Sequence, residues 1–92
     1  MHFILTYHTV PNYTELRKPY RSEHLTYIQD FYERGLVTMA GALEDPADQA
    51  VIIFKCDNPS EIENFAKNDP YVKNGLIASW SIRPWNVVIG KQ

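Results

Sequence analysis

Twice along this chain a short run of hydrophobes suited to a strand gives way to a stripe with helical spacing, and twice the chain then returns to a strand-like run. Six elements in the order strand, helix, strand, strand, helix, strand constrain a chain of 92 residues severely. Each helix must lay its one apolar stripe on the sheet, and short connections leave few ways to arrange that.

The first strand runs from His2 to His8, with Phe3, Leu5 and Tyr7 on one face and Ile4, Thr6 and His8 on the other. Val10 to Lys18 contains Pro11, Asn12 and Thr14 without apolar periodicity and reads as a loop, which Pro19 closes by opening a helix. From Tyr20 to Arg34, a rotation of about 100° per residue gathers Tyr20, His24, Tyr27, Ile28 and Phe31 into one stripe. Gly35 ends this helix, because glycine accepts the left-handed backbone found past many helix C-termini. Leu36 to Leu43 is the second strand, in which Gly41 signals a bulge or a close backbone approach.

Asp45-Pro46 centres a turn from Glu44 to Gln49. Ala50 to Cys56 follows as a third strand, whose Val-Ile-Ile-Phe core suits a central position covered on both faces. Asn58-Pro59-Ser60-Glu61 opens the second helix with an N-cap, an early proline and an acid near the positive end of the dipole. Ile62, Phe65 and Ala66 form its buried stripe, and Asp69-Pro70 ends it or restarts a short turn. Asn74-Gly75 is a second stop. The final strand, Ala78 to Asn86, puts Trp80 and Ile82 on one face and Ser79, Ser81 and Arg83 on the other, with Pro84 restricting it to an edge or a strand end.

This βαββαβ order is the ferredoxin-like arrangement of the α+β class, with both helices on one face of a four-stranded antiparallel sheet. The other face needs a cover. A chain of this size forms a single domain over residues 1–92 and buries only somewhat more than about 60% of its unfolded surface. Strands apolar on both sides therefore imply a homodimer, sheet against sheet, with Trp80 and Trp85 as candidate interface residues.

A net charge of −2 offers no basic stripe for a phosphate backbone, which argues against nucleic acid as a partner. No run approaches the roughly 20 apolar residues of a membrane span, and the run from Phe3 to Leu5 is too short for a secretory signal, so a cytoplasmic location is expected. Cys56 is the one cysteine, which excludes an intrachain disulfide and a cysteine-based zinc site, and a lone strand cysteine is expected to be buried and inert. His2 and His8 stand about 20 Å apart on a flat strand and do not share a metal. There is no glycine-rich phosphate loop, His-x-x-x-His or dinucleotide fingerprint, so no metal or cofactor is expected.

The chemistry concentrates in two residues. His24 occupies a position on the helical stripe where a hydrophobe belongs, and Asp69 lies in the helix-ending Asp-Pro. A carboxylate beside a half-buried imidazole orients one ring nitrogen and makes the other a general base or acid. Two plainer roles compete: a core histidine bonded to a backbone carbonyl, and an aspartate capping its own turn. Arg21, one helical turn before His24, either binds a ligand anion through its planar fork or pairs with a surface acid. Tyr7, Tyr20, Tyr27 and Tyr71 are candidates to line a site for a planar ligand, or else belong to the core.

Arg21-Ser22-Glu23-His24-Leu25, the strand with Gly41, and Asn68-Asp69-Pro70-Tyr71-Val72-Lys73-Asn74-Gly75-Leu76 resemble the YciI family of YCII-related proteins. The similarity extends from the first strand to Trp85. The resemblance implies a dimeric α+β barrel, a fold similar to that of muconolactone isomerases and small cofactor-free monooxygenases. It also implies a His-Asp site carried by His24 and Asp69. The chain departs from the family in the polar, somewhat long segment from Val10 to Lys18 and in Gln49, where a glycine is expected. Loops set specificity, so a relative's substrate does not transfer.

The expected protein is a small homodimer that binds a small molecule in a partly apolar cleft between helices and sheet. Its dyad is suited to proton transfer without a cofactor, in isomerisation or elimination on a small cyclic or aromatic metabolite. The alternative is a non-catalytic metabolite-binding or assembly module in which the same residues fix the fold.

Overall fold

The computed structural model describes residues 1–90. Its elements are β1 (His2–Thr9), α1 (Tyr13–Leu16), α2 (Arg21–Glu33), β2 (Val37–Ala42), β3 (Gln49–Lys55), α3 (Ser60–Asn68), α4 (Pro70–Lys73) and β4 (Ile77–Trp85), with a 3-10 turn over Lys18–Tyr20 before α2. The strands form one antiparallel sheet in the order β2-β3-β1-β4. This is the ferredoxin-like α+β arrangement.

Register decides which face is buried. Leu5 stands between Ile52 and Ile82, and Tyr7 between Ala50 and Trp80, so one face of three strands is apolar in continuous rows. α3 lays Ile62, Phe65 and Ala66 on that face, each at most 1% exposed. Full burial of one such large side chain contributes about 1.5 to 3 kcal/mol. Phe65 is the hub, meeting Phe31 of α2 and Phe54 of β3 edge-on at centroid distances of 4.8 and 5.1 Å.

The punctuation residues act as their chemistry dictates. Asn58 Oδ1 accepts a hydrogen bond from the Ser60 N–H at 2.9 Å where α3 begins. Gly35 and Gly75 take φ of 81° and 75° beyond α2 and α4, a conformation costly for other residues. Pro84 lies on β4, an edge strand that has a free side.

Four expectations are corrected. Val10 to Lys18 is not all loop, since Tyr13–Leu16 makes a helical turn that buries Tyr13 at 5% exposure. The irregularity of β2 falls between Val37 and Met39, while Gly41 stays in register opposite Val51 with nothing within 4 Å of where a Cβ would stand. α2 begins at Arg21, so Tyr20 belongs to the preceding 3-10 turn. Trp80 packs onto the core from the covered face and cannot serve an interface on the other one, whereas Trp85, opposite His2, is 43% exposed.

The uncovered face carries Ile4 on β1, Val51 and Ile53 on β3, and Met39 on β2, mixed with Thr6, Ser81 and Arg83. Among the described residues no helix is long and apolar enough to cross a membrane. α2 has no fully buried residue despite its central place. Tyr27, Ile28 and Phe31 pack partly on the core, and the N-terminal half of the helix overlooks a cavity.

Candidate active site

Proline disfavours a helical residue before it, so Pro70 turns Asp69 out of α3 into an extended conformation, φ −65° and ψ 128°. That places the carboxylate at the N-cap of α4, where Oδ1 accepts from the Tyr71 N–H at 2.9 Å. Capping is only part of its role. Oδ1 also meets His24 Nδ1 at 2.8 Å, and Oδ2 accepts from the Tyr7 hydroxyl at 2.8 Å. Asp69 is 0% exposed, and three donors compensate for its burial.

An ionised carboxylate can only accept, so Nδ1 of His24 carries the proton and Nε2 of the neutral ring holds the lone pair. Nε2 has no hydrogen-bond partner among the described residues, is not sealed from solvent, and belongs to a side chain 13% exposed on the cavity wall. The ring is held in a second way. It lies face to face with Tyr71, centroids 3.8 Å apart and planes 6° from parallel, and Tyr13 meets Tyr71 edge-on at 5.8 Å. One edge and one face of the imidazole are thus fixed by different elements, which is the preorganisation a proton-transfer group needs.

The hydroxyls around the carboxylate are kept neutral. Burial pushes the Tyr7 phenol far above its ordinary range, and the charge and hydrogen bond of Asp69 add to the shift. Tyr7 is therefore a permanent donor. Tyr27 is pushed up to about 12, first by burial and then by Asp69, against Arg34.

The cavity has a volume of about 390 Å³, at the lower end of the roughly 300 to 1,000 Å³ usual for small-molecule sites. α2 contributes Arg21, His24, Leu25 and Ile28 to its wall, and α1 with its C-cap contributes Tyr13 and Arg17. The sheet side is made of small groups, Ala40, Gly41 and Ala42 of β2 and Ala50 of β3, with Glu44 at the rim.

Among the residues singled out from the sequence, His24, Asp69, Tyr7 and Tyr71 come together, and Arg21 joins them on the cavity wall. Tyr27 does not line the cavity, because its hydroxyl donates to the Phe65 carbonyl at 2.8 Å and its ring packs on Phe31 and Phe65. Tyr20 is half-buried against Tyr13, Tyr71 and Leu76, outside the cavity. The core-histidine alternative fails on its partner, which is a carboxylate. Tyr13 and Arg17 were missed. Their four-residue spacing was the available signal, and in the structure the Arg17 guanidinium lies 5.2 Å from the centre of the Tyr13 ring. Among the described residues no group of three or more His, Cys, Asp or Glu side chains could hold a metal ion.

The model of the YCII-related domain family matches residues 1–86. No curated protein matches the chain. Among solved structures, the chain is similar to the 5-chloro-2-hydroxyhydroquinone dehydrochlorinase TftG of Burkholderia phenoliruptrix AC1100 in complex with 2,5-dihydroxybenzoquinone. The likeness has a TM-score of 0.80, 20% identity, and covers 94% of both chains. TftG has the same dimeric α+β barrel fold.

Proposed function

The chain belongs to the YCII-related domain family, and on that premise we propose that it is a cofactor-independent enzyme whose His24-Asp69 dyad moves a proton on a small cyclic or aromatic metabolite. The observation that carries this reading is the buried carboxylate on Nδ1, which leaves Nε2 as a base held at the cavity wall. Nε2 removes an acidic C–H proton, Asp69 stabilises the imidazolium that forms, and the ring returns the proton at another atom or to a leaving group. Isomerisation and elimination both follow from this one step. Arg21 stands one turn along α2 to hold a substrate anion.

The name of the structural neighbour supports the elimination branch, since a dehydrochlorinase removes hydrogen chloride, here from a hydroxylated ring. We further read the chain as one cytoplasmic domain that dimerises through its open sheet face, where Ile4, Met39, Val51 and Ile53 lack a cover.

A second reading has its own observation. Asp69 caps α4 as well as binding His24, so the dyad can serve the fold of a metabolite-binding module.

The test is proton exchange. A panel of cyclic ketones and hydroxylated ring acids is incubated in D₂O with the protein, and loss of the acidic C–H signal is followed by NMR. The wild type accelerates exchange of at least one compound, and His24→Ala reduces that rate by about 10²- to 10⁴-fold, the usual contribution of a general base. Equal rates in wild type and His24→Ala would overturn the catalytic reading.

A further inference from the structure

We propose that Arg17, Arg21 and the Tyr71 hydroxyl form an anion subsite in the cavity, which selects ligands bearing a ring carboxylate. The proposal rests on the reading of this cavity as a substrate site and names the class of ligand it takes.

Three observations converge. The first is the state of the two guanidinium groups. Among the described residues the ion pairs are Lys18 with Glu15, His24 with Asp69, and Arg34 with Asp30, so neither Arg17 nor Arg21 has an acidic partner. Among the described residues Arg17 makes no side-chain hydrogen bond and Arg21 approaches only the Tyr71 hydroxyl, yet both line the cavity. Glu44 lines the same cavity without pairing with either. Two cations against one carboxylate thus face a small cavity in a chain whose net charge is −2.

The second is the Tyr71 hydroxyl. It is buried and, among the described residues, has no partner in good hydrogen-bond geometry, the Arg21 guanidinium being its nearest donor, in a residue 2% exposed that also lines the cavity. A buried unpaired hydroxyl is disfavoured unless something not yet present completes it. Its electrostatic neighbours are those same arginines. Burial and Tyr13 hold its proton on, while the charges of Arg21 and Arg17 and the approach of Arg21 to the hydroxyl oppose them. A carboxylate bridging the guanidinium groups would accept from this hydroxyl and complete all three.

The third is geometry along the chain. Arg17 is the C-cap of α1, and Tyr13 at the start of that turn packs beneath its guanidinium. Stacking on an aromatic face leaves the edge of a guanidinium available for two parallel hydrogen bonds, the arrangement a carboxylate accepts. Arg21 follows four residues later, one turn from His24. Leu25, Ile28, Ala40, Ala42 and Ala50 give the cavity an apolar stretch of wall beside these polar groups. An anion at one end and an apolar space of this size describe a single ring with a carboxylate substituent, whose C–H bonds would lie near Nε2.

The experiment uses benzoate and benzamide, equal in shape and different in charge, as probes of the full chain by NMR titration at low ionic strength. Benzoate binds at least about tenfold more tightly than benzamide, in keeping with hydrogen bonds between charged groups. Arg17→Gln and Arg21→Gln each remove most of that preference, and Arg17→Lys restores less than the wild-type value because it lacks the fork. Equal binding of the two probes, absence of benzoate binding, or an unchanged preference in Arg17→Gln would each overturn the subsite. The same spectra contain the proton on His24 Nδ1. Its presence with no benzoate preference sinks the subsite alone, and its absence sinks the dyad whatever the benzoate result.

Discussion

His24 and Tyr71 lie face to face at 3.8 Å, and the backbone N–H of Tyr71 binds the same carboxylate oxygen that His24 Nδ1 does. Tyr71 thus fixes the imidazole through its ring and fixes the partner of the imidazole through its main chain. Its hydroxyl takes no part in either contact. Tyr71→Phe should therefore keep the stack, and should stabilise the unliganded protein by about 1 kcal/mol, because it removes a buried unpaired polar group. Urea denaturation measures this, and a clear loss of stability would mean that the hydroxyl has a partner in solution.

Asp69 should be far less tolerant. Asp69→Ala strips three hydrogen bonds, one of them the cap of α4, from a fully buried position, with an expected loss of about 3 to 5 kcal/mol. Asp69→Asn retains one acceptor and should lose less. Chemical denaturation of the two variants checks the order, and equal stability would show that the carboxylate does little for the fold.

Tyr27 predicts the alkaline limit. Its folded value, about 12, lies above the unfolded value of 10.0, so the unfolded chain releases this proton first. The contribution to stability is complete below pH 10 and is lost as pH rises from there to about 12. Tyr7, shifted the same way and further, extends the loss beyond that window. Tyr27→Phe should flatten part of the decline in melting temperature above pH 10, at an expense near neutral pH of about 1 kcal/mol for the lost bond to Phe65. Unchanged slopes in the variant would count against the assignment.

The open sheet face predicts its own disruption. Val51→Asp puts a charge in the middle of the apolar patch on a central strand, where a facing sheet would have to desolvate it. Light scattering should give twice the monomer mass for the wild type and the monomer mass for this variant. A wild type that runs as a monomer would remove the proposed interface.

Much of this was legible from residue patterns because those patterns are local. Alternation in β1, the stop at Gly35, the cap at Asn58 and the break at Asp69-Pro70 each act within a few residues, so the order of the four strands and two longer helices was legible. Even the convergence of His24 with Asp69 followed, since α2 and the end of α3 must cover the same face. The misreadings arose where the third dimension decides. Tyr27 and His24 share a helical stripe, but His24 and Ile28 face the cavity while Tyr27 turns its ring onto Phe31 and Phe65. Trp80 has the size of an interface residue, and register placed it on the core side. α1 has a single turn, too short for periodicity to announce, and it carries Tyr13 and Arg17.

The small-residue wall of β2 separates two kinds of change. On the proposed function, the proton-transfer groups stand on α2 and at the start of α4, where their removal would disturb folding as well as chemistry. Opposite them, Ala40 and Ala42 lie on an edge strand that borders the cavity with single methyl groups. Lengthening either side chain would reshape the space without touching the carboxylate or the imidazole. If the proposed function holds, single substitutions on this strand would exchange one ring for another while leaving the His24-Asp69 pair unaltered.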